Sequence, residues 1–127
     1  MKYLHTTIFT DRLEESIAFY EEQVGLRILR DLRGSPEQRT VFLGNAQGET
    51  CIELAEAGAK PAADAAGISL GFQVADAEAE RAKKETAGLH PGELVMPNPN
   101  AKFFCIEDPN GVEIQFLEEK PDSRNMT

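Results

Sequence analysis

The chain has 127 residues, 41% hydrophobic and 28% charged, a globular balance long enough for one domain with one hydrophobic core. Its formal net charge of −9 argues against a nucleic-acid partner, whose phosphates need clustered Lys and Arg, and against an anionic membrane surface. No apolar run approaches the roughly 20 residues of a membrane helix, and Met1-Lys2-Tyr3-Leu4-His5 has no signal-peptide core, so the expected location is the cytoplasm.

The first strand is expected near 2–9, from the β-branched and aromatic run Leu4-His5-Thr6-Thr7-Ile8-Phe9. Asp11 and Glu14 form an Asp-x-x-Glu capping pattern. Leu13, Ile17, Tyr20 and Val24 then line one face of a helix over 13–23, and Gly25 supplies its left-handed stop. Three strands follow, near 26–33, 38–44 and 50–56, with a turn over Asn45 to Gly48. Residues 57–67, mostly Ala, Gly, Lys, Pro and Asp, read as a linker. The order then restarts with a strand near 67–75 and a helix near 76–87, capped by Asp76, stopped by Gly88 and faced by Ala79 and Ala82. Strands near 93–96, 102–107 and 112–118 complete it, the last two joined by the tight turn Asp108-Pro109-Asn110-Gly111. Residues 121–127 read as a frayed tail.

Strand, helix and three strands therefore occur twice. Phe42 and Phe104 lie 62 residues apart, as do Glu53 and Gln115, which supports an internal repeat. The expected fold class is α+β: one domain over 1–120, built from module one (1–56), the linker and module two (68–120), with the two βαβββ modules forming a cupped mixed sheet.

Alternation within strands places the polar side chains. If the helices cover the more apolar set of each strand, His5 and Thr7 face the cup, and so do Cys51 and Glu53, Ser69 and Gln73, and Gln115. An imidazole and a carboxylate converging on a concave sheet are candidate metal ligands or acid–base groups. The same residues equally suit hydrogen-bonded positions at a wet barrel mouth, and pattern alone favours that plainer role. Cys51 and Cys105, with no Cys-x-x-Cys, read as free thiols in apolar strands. His90 reads as an exposed loop residue, Arg27, Arg30 and Arg33 as a solvated edge from which one Arg could bind a ligand carboxylate, and Pro97-Asn98-Pro99-Asn100 as a stiff loop at a pocket rim.

Four phrases resemble the vicinal oxygen chelate superfamily, the glyoxalase/bleomycin resistance protein/dioxygenase group, and within it bacterial lactoylglutathione lyases. They are Leu4-His5-Thr6, Ser16-Ile17-Ala18-Phe19-Tyr20 followed by Gly25-Leu26, Ile52-Glu53-Leu54, and Glu107-Asp108-Pro109-Asn110-Gly111 running into Glu113-Ile114. The resemblance implies four metal-ligand positions in the order His, Glu, His, Glu. His5 and Glu53 match the first two, Ser69 stands at the third and Gln115 at the fourth. It further implies a divalent ion (nickel, zinc, manganese or iron) on His5, Glu53 and Gln115, with Glu53 moving a proton beside a carbonyl. It implies a small-molecule ligand in the cup, lined also by Ser69, Gln73, Thr7 and Cys51, and a homodimer. Three classes of function remain: a metal-assisted lyase or isomerase, a metal-free binding or resistance protein, and an enzyme with an altered, metal-poor site.

Overall fold

The computed structural model describes residues 1–35, 38–56 and 67–120. They fall into two compact units: Met1–Ala65 with Pro109–Gly111, and Ala66–Asp108 with Val112–Thr127. All but Gly67 of the expected linker, and the whole of the expected tail 121–127, lie outside the described residues.

Unit 1 contains β1 (His5–Thr10), α1 (Leu13–Phe19), a π-helical turn (Tyr20–Val24), β2 (Arg27–Ser35), β3 (Gln38–Gly44) and β4 (Cys51–Glu56). Its sheet runs β1-β4-β3-β2, with β1 and β4 parallel and the other neighbours antiparallel. Unit 2 contains β5 (Ser69–Gln73), α2 (Ala77–Thr86), β6 (Val95–Asn98), β7 (Ala101–Glu107) and β8 (Glu113–Glu119). Its sheet runs β5-β8-β7-β6, parallel only between β5 and β8. Corresponding strands thus take the same order, so the repeat read from element order holds. Both units are mixed α+β, each with its own four-stranded sheet.

In unit 1 the helix-side face is apolar. Ile8, Val41, Leu43, Ile52 and Leu54 are buried with Leu13, Ile17, Phe19 and Tyr20, and Phe19 packs edge-on to Tyr20 at 5.1 Å. The helix starts differently from the capping pattern. Arg12 takes the N-cap position with no side-chain cap, because the Thr10 hydroxyl one turn earlier accepts the Arg12 N–H at 2.9 Å. Glu14 is drawn instead to Arg39, whose guanidinium also forks onto Asp31 at 2.8 and 3.0 Å. That pairing holds the Asp31 carboxyl below the ordinary range. At its far end the helix widens, because the Tyr20 carbonyl accepts from both Gly25 and Leu26. Gly25 sits at φ 82°, the left-handed stop its position requires. The Pro109–Gly111 turn also packs here: the Asn110 amide oxygen accepts from Thr10 at 2.5 Å and its nitrogen donates to Ser16 at 3.0 Å.

Unit 2 buries Ala77, Ala101, Phe104, Ile106, Val112, Ile114 and Phe116, with Phe104 and Phe116 stacked at 5.1 Å. Asp76 caps α2, accepting from the Ala79 N–H at 3.0 Å. The face expected from Ala79 and Ala82 is corrected, since both are exposed. Ala77 and Lys84 are buried instead, and Lys84 lies 4.9 Å above the Phe116 ring and 3.6 Å from Glu80. Its methylene stem substitutes for a larger apolar residue on a helix that lacks one. Burial lowers the affinity of that ammonium for its proton. Ile68, expected within the strand near 67–75, precedes β5 and is exposed. The Pro97-Asn98-Pro99-Asn100 loop is also corrected: Pro97 and Asn98 end β6, and only Pro99 and Asn100 lie in the turn, closed by Asn100 N–H to Asn98 at 2.8 Å.

The Phe42–Phe104 match does not survive the strand register. Phe42 pairs with Glu53, whereas Phe104 pairs with Phe116, and it is Cys105 that pairs with Gln115. The two hairpins differ by one residue, and a one-residue slip exchanges the faces of a strand. Phe104 is therefore fully buried on the helix side, while Phe42 lies half-buried on the open side. Phe104→Ala should cost about 3–5 kcal/mol in chemical denaturation and Phe42→Ala clearly less. Equal losses would contradict this register.

Candidate functional site

The face of each sheet turned away from its helix carries the polar side chains singled out in the sequence. In unit 1, parallel pairing sets His5 opposite Cys51 and Thr7 opposite Glu53. These four residues share the open face, as alternation against buried Ile8, Ile52 and Leu54 requires. The Thr7 hydroxyl donates to Glu53 Oε1 at 2.7 Å. The other oxygen, Oε2, lies 4.0 Å from His5 Nε2, with the two side chains 35% and 20% exposed. A single carboxylate is thus held through one oxygen and offers the second toward an imidazole.

Neighbouring strands extend this arrangement. Phe42 on β3 meets the His5 ring edge-on at 5.8 Å, which restricts its tilt. Arg30 on β2 places its guanidinium 5.4 Å from the Phe42 centroid. A cavity of about 320 Å³ borders this patch, lined by Leu4, His5, Arg30, Phe42 and Cys51 among others. Of the three arginines singled out in the sequence, Arg30 is therefore the one that faces a cavity beside the His–Glu pair. Arg33 lies 4.0 Å from Asp31 instead.

In unit 2 the open face carries Ser69 and Gln73 of β5 and Gln115 of β8. Gly71 stands opposite Gln115 and Gln73 opposite Leu117. A cavity of about 450 Å³ is lined by Gly71, Gln73, Gln115 and Leu117 together with Glu119 and Lys120. Ser69 stands opposite Glu113, an open-face carboxylate that the alternation Glu113, Gln115, Leu117 marks but that a search for ligand positions passes over. Glu113, His90, Cys105 and Glu107 line a further cavity of about 490 Å³ in the same unit. His90 is exposed, as expected, in the segment held by Arg81, whose Nε–H donates to the Gly92 carbonyl at 2.7 Å.

The residues expected at the site thus divide between the units: His5, Thr7, Cys51 and Glu53 come together in unit 1, and Ser69, Gln73 and Gln115 share a face of unit 2. At 4.0 Å the donor pair is wider than the about 3.0–3.5 Å between neighbouring ligands of an octahedral or tetrahedral shell with bonds of about 2.0–2.2 Å, so a closing of about 0.5–1 Å brings both within reach of one ion. Imidazole nitrogen with carboxylate oxygen suits the borderline divalent ions. Among the described residues, no group of three His, Cys, Asp or Glu side chains is arranged to hold a metal. Unit 1 therefore fits part of a coordination shell.

Both cysteines are free thiols, half-buried on the open faces. Burial, and then the Glu53 charge, pushes the Cys51 thiol up. Burial, and then a hydrogen bond to Glu113, pushes Cys105 up to about 11. Only the thiolate reacts with alkylating agents. Iodoacetamide labelling should be slow for both at pH 7 and accelerate steeply above pH 9, with Cys105 lagging. Rapid labelling of Cys105 at neutral pH, followed by mass spectrometry, would contradict this environment.

Comparisons with known proteins place these observations in a family. Residues 2–116 match the family described as Glyoxalase/Bleomycin resistance protein/Dioxygenase superfamily. Lactoylglutathione lyase of Haemophilus influenzae is 30% identical over 131 residues, covering 94% of each chain. Lactoylglutathione lyase of Neisseria meningitidis serogroup A is 27% identical, covering 94% of this chain and 92% of its own. Among solved structures, the trypanothione-dependent glyoxalase I of Leishmania major superposes with a TM-score of 0.80 at 25% identity, covering 98% of this chain and 91% of that one. TnmS3, an antibiotic binding protein from Streptomyces sp. CB03234, superposes with a TM-score of 0.73 at 19% identity, over 94% of this chain and 97% of that one. With two like-ordered mixed sheets and a family match over nearly its whole length, the chain belongs to the glyoxalase/bleomycin resistance protein/dioxygenase superfamily.

Proposed function

We propose that the protein is a glyoxalase-like enzyme of small molecules, a lyase or isomerase that moves a proton between carbons beside a carbonyl. The observation that carries this reading is the convergence of His5 and Glu53 on one open sheet face, with Thr7 holding one carboxylate oxygen. The Haemophilus and Neisseria relatives are named lactoylglutathione lyase, which supports a lyase of a substrate related to lactoylglutathione.

His5 and Glu53 would hold one divalent ion, nickel, zinc, manganese or iron, with the Gln115 amide oxygen as a third ligand supplied within the chain or by a second copy. Such an ion, when bound, stabilises the negative charge that develops on the substrate oxygens. Glu53 is the group able to take the proton from one carbon and return it to its neighbour, since Gln115 and Ser69 have no basic form at neutral pH. Oε1 accepts the Thr7 hydroxyl, so Oε2 would serve either the ion or the proton, and would act as the base only where it is not bound to the ion. Arg30 lines the adjacent cavity and supplies a cation for an anionic ligand group. Ser69, Gln73, Thr7 and Cys51 line the ligand cavity in this reading. The two modules act as a single domain over residues 1–120 in a homodimer, in the cytoplasm. Among the described residues no helix is long and apolar enough to cross a membrane.

A second reading, a metal-free protein that sequesters a small molecule, is favoured by one specific feature. The open face of unit 2 carries neutral Ser69, Gln73 and Gln115, and the two amides line a cavity of about 450 Å³, suited to holding a ligand by hydrogen bonds.

Glu53→Gln should lower turnover of the hemithioacetal of methylglyoxal and glutathione by about 100-fold or more in nickel-supplemented enzyme, and His5→Ala should abolish the heat of nickel binding. Glu53→Gln turning over at the wild-type rate, or equal nickel heats from wild type and His5→Ala, would overturn the metalloenzyme reading.

A further inference from the structure

The two units differ at one point of matching register. Thr7 stands opposite Glu53 on the parallel pair β1–β4, and Gly71 stands opposite Gln115 on the parallel pair β5–β8. Unit 1 therefore puts a hydroxyl beside its carboxylate, and the contact is made, part-buried, at 2.7 Å. Unit 2 puts no β5 side chain beside its amide, whose other strand neighbour is Cys105 of β7. A Cβ built on Gly71 would lie 3.4 Å from Gln115 Oε1, so the site admits a Cβ in ordinary contact with the amide.

Three features fix the carboxylate in unit 1. Its strand is central, between β1 and β3, so the backbone of Glu53 is paired on both sides. Thr7 is β-branched and restricted about χ1, so its hydroxyl is held in few orientations. The hydroxyl has one donor proton, and Glu53 Oε1 takes it. The result is a carboxylate whose rotamer is set before any ligand arrives, with Oε2 turned to His5.

We propose that Thr7 is a positioning residue for Glu53: its hydroxyl selects the rotamer that turns Oε2 toward His5. The consequence for metal affinity rests on the reading of His5 and Glu53 as a ligand pair. The effect on the Glu53 rotamer does not. Partners that orient a metal ligand typically change affinity by about 10–100-fold when removed. Thr7→Val keeps the shape and the β-branch and removes the hydroxyl. Thr7→Ser keeps the hydroxyl and removes a methyl.

The test uses the full-length metal-free protein with two readouts. Side-chain three-bond couplings of Glu53, measured by NMR, report its rotamer. Calorimetric titration with nickel chloride reports affinity. The expected result is one Glu53 rotamer in wild type and Thr7→Ser, averaged couplings in Thr7→Val, and nickel affinity about tenfold weaker in Thr7→Val alone. Couplings in Thr7→Val unchanged from wild type would overturn the proposal, as would a Thr7→Ser variant that behaves like Thr7→Val, because that would make the methyl the important group. If wild type takes up no nickel while the couplings still depend on the Thr7 hydroxyl, the ligand-pair reading falls and the positioning role stands.

Discussion

Parallel pairing of the first and fourth strands of unit 1 is the constraint on which the site depends. Parallel strands in register bring residues from distant parts of the chain side by side, and here His5 and Thr7 meet Cys51 and Glu53 across 46 positions of sequence. Side chains alternate about the sheet, so the same register that buries Ile8, Ile52 and Leu54 under the helix must turn His5, Thr7 and Glu53 to the open face. The core therefore enforces the site. Slipping β1 by one residue would turn His5 to the helix-covered face and expose Ile8, which loses on the order of 2 kcal/mol for the isoleucine alone.

The same topology is used twice with different residues, and the difference is chemical. Unit 1 sets a charged acceptor, an imidazole and an oriented hydroxyl on its open face. A hydrogen bond to a charged group contributes on the order of 1.5–3 kcal/mol, enough to select one rotamer of Glu53 over its alternatives. Unit 2 sets Gly71 and Gln115 where unit 1 sets Thr7 and Glu53, with Ser69, Gln73 and the carboxylate of Glu113 on the same open face.

Much of this was legible in the sequence. Strict alternation in Ile52-Glu53-Leu54 and Ile114-Gln115-Phe116 placed their polar members correctly, because period-2 patterning tolerates no ambiguity when one face is buried. Gly25 and Gly88 both lie at φ 82°, as helix stops should. Three things were not legible. The capping pattern at Asp11 gave way to the Thr10 hydroxyl, an interaction local in space but outside the motif. The Phe42–Phe104 letter match concealed a one-residue change in hairpin register, which no count along the chain reveals. The face of α2 depended on Lys84 lying across Phe116, and a lysine stem is invisible to hydrophobic periodicity. The Thr7–Glu53 bond belongs to a different kind of gap: the pattern put both residues on one face, and only the parallel register made them neighbours.

The central claim is that the open face of unit 1 presents one imidazole nitrogen and one carboxylate oxygen to the same divalent ion. X-ray absorption spectroscopy of the nickel-loaded protein tests it directly. The account predicts a shell of nitrogen and oxygen ligands with the outer-shell scattering of a single imidazole, lost in His5→Ala, and no sulfur from Cys51. A spectrum with no imidazole contribution, or with imidazole scattering that persists in His5→Ala, would contradict it.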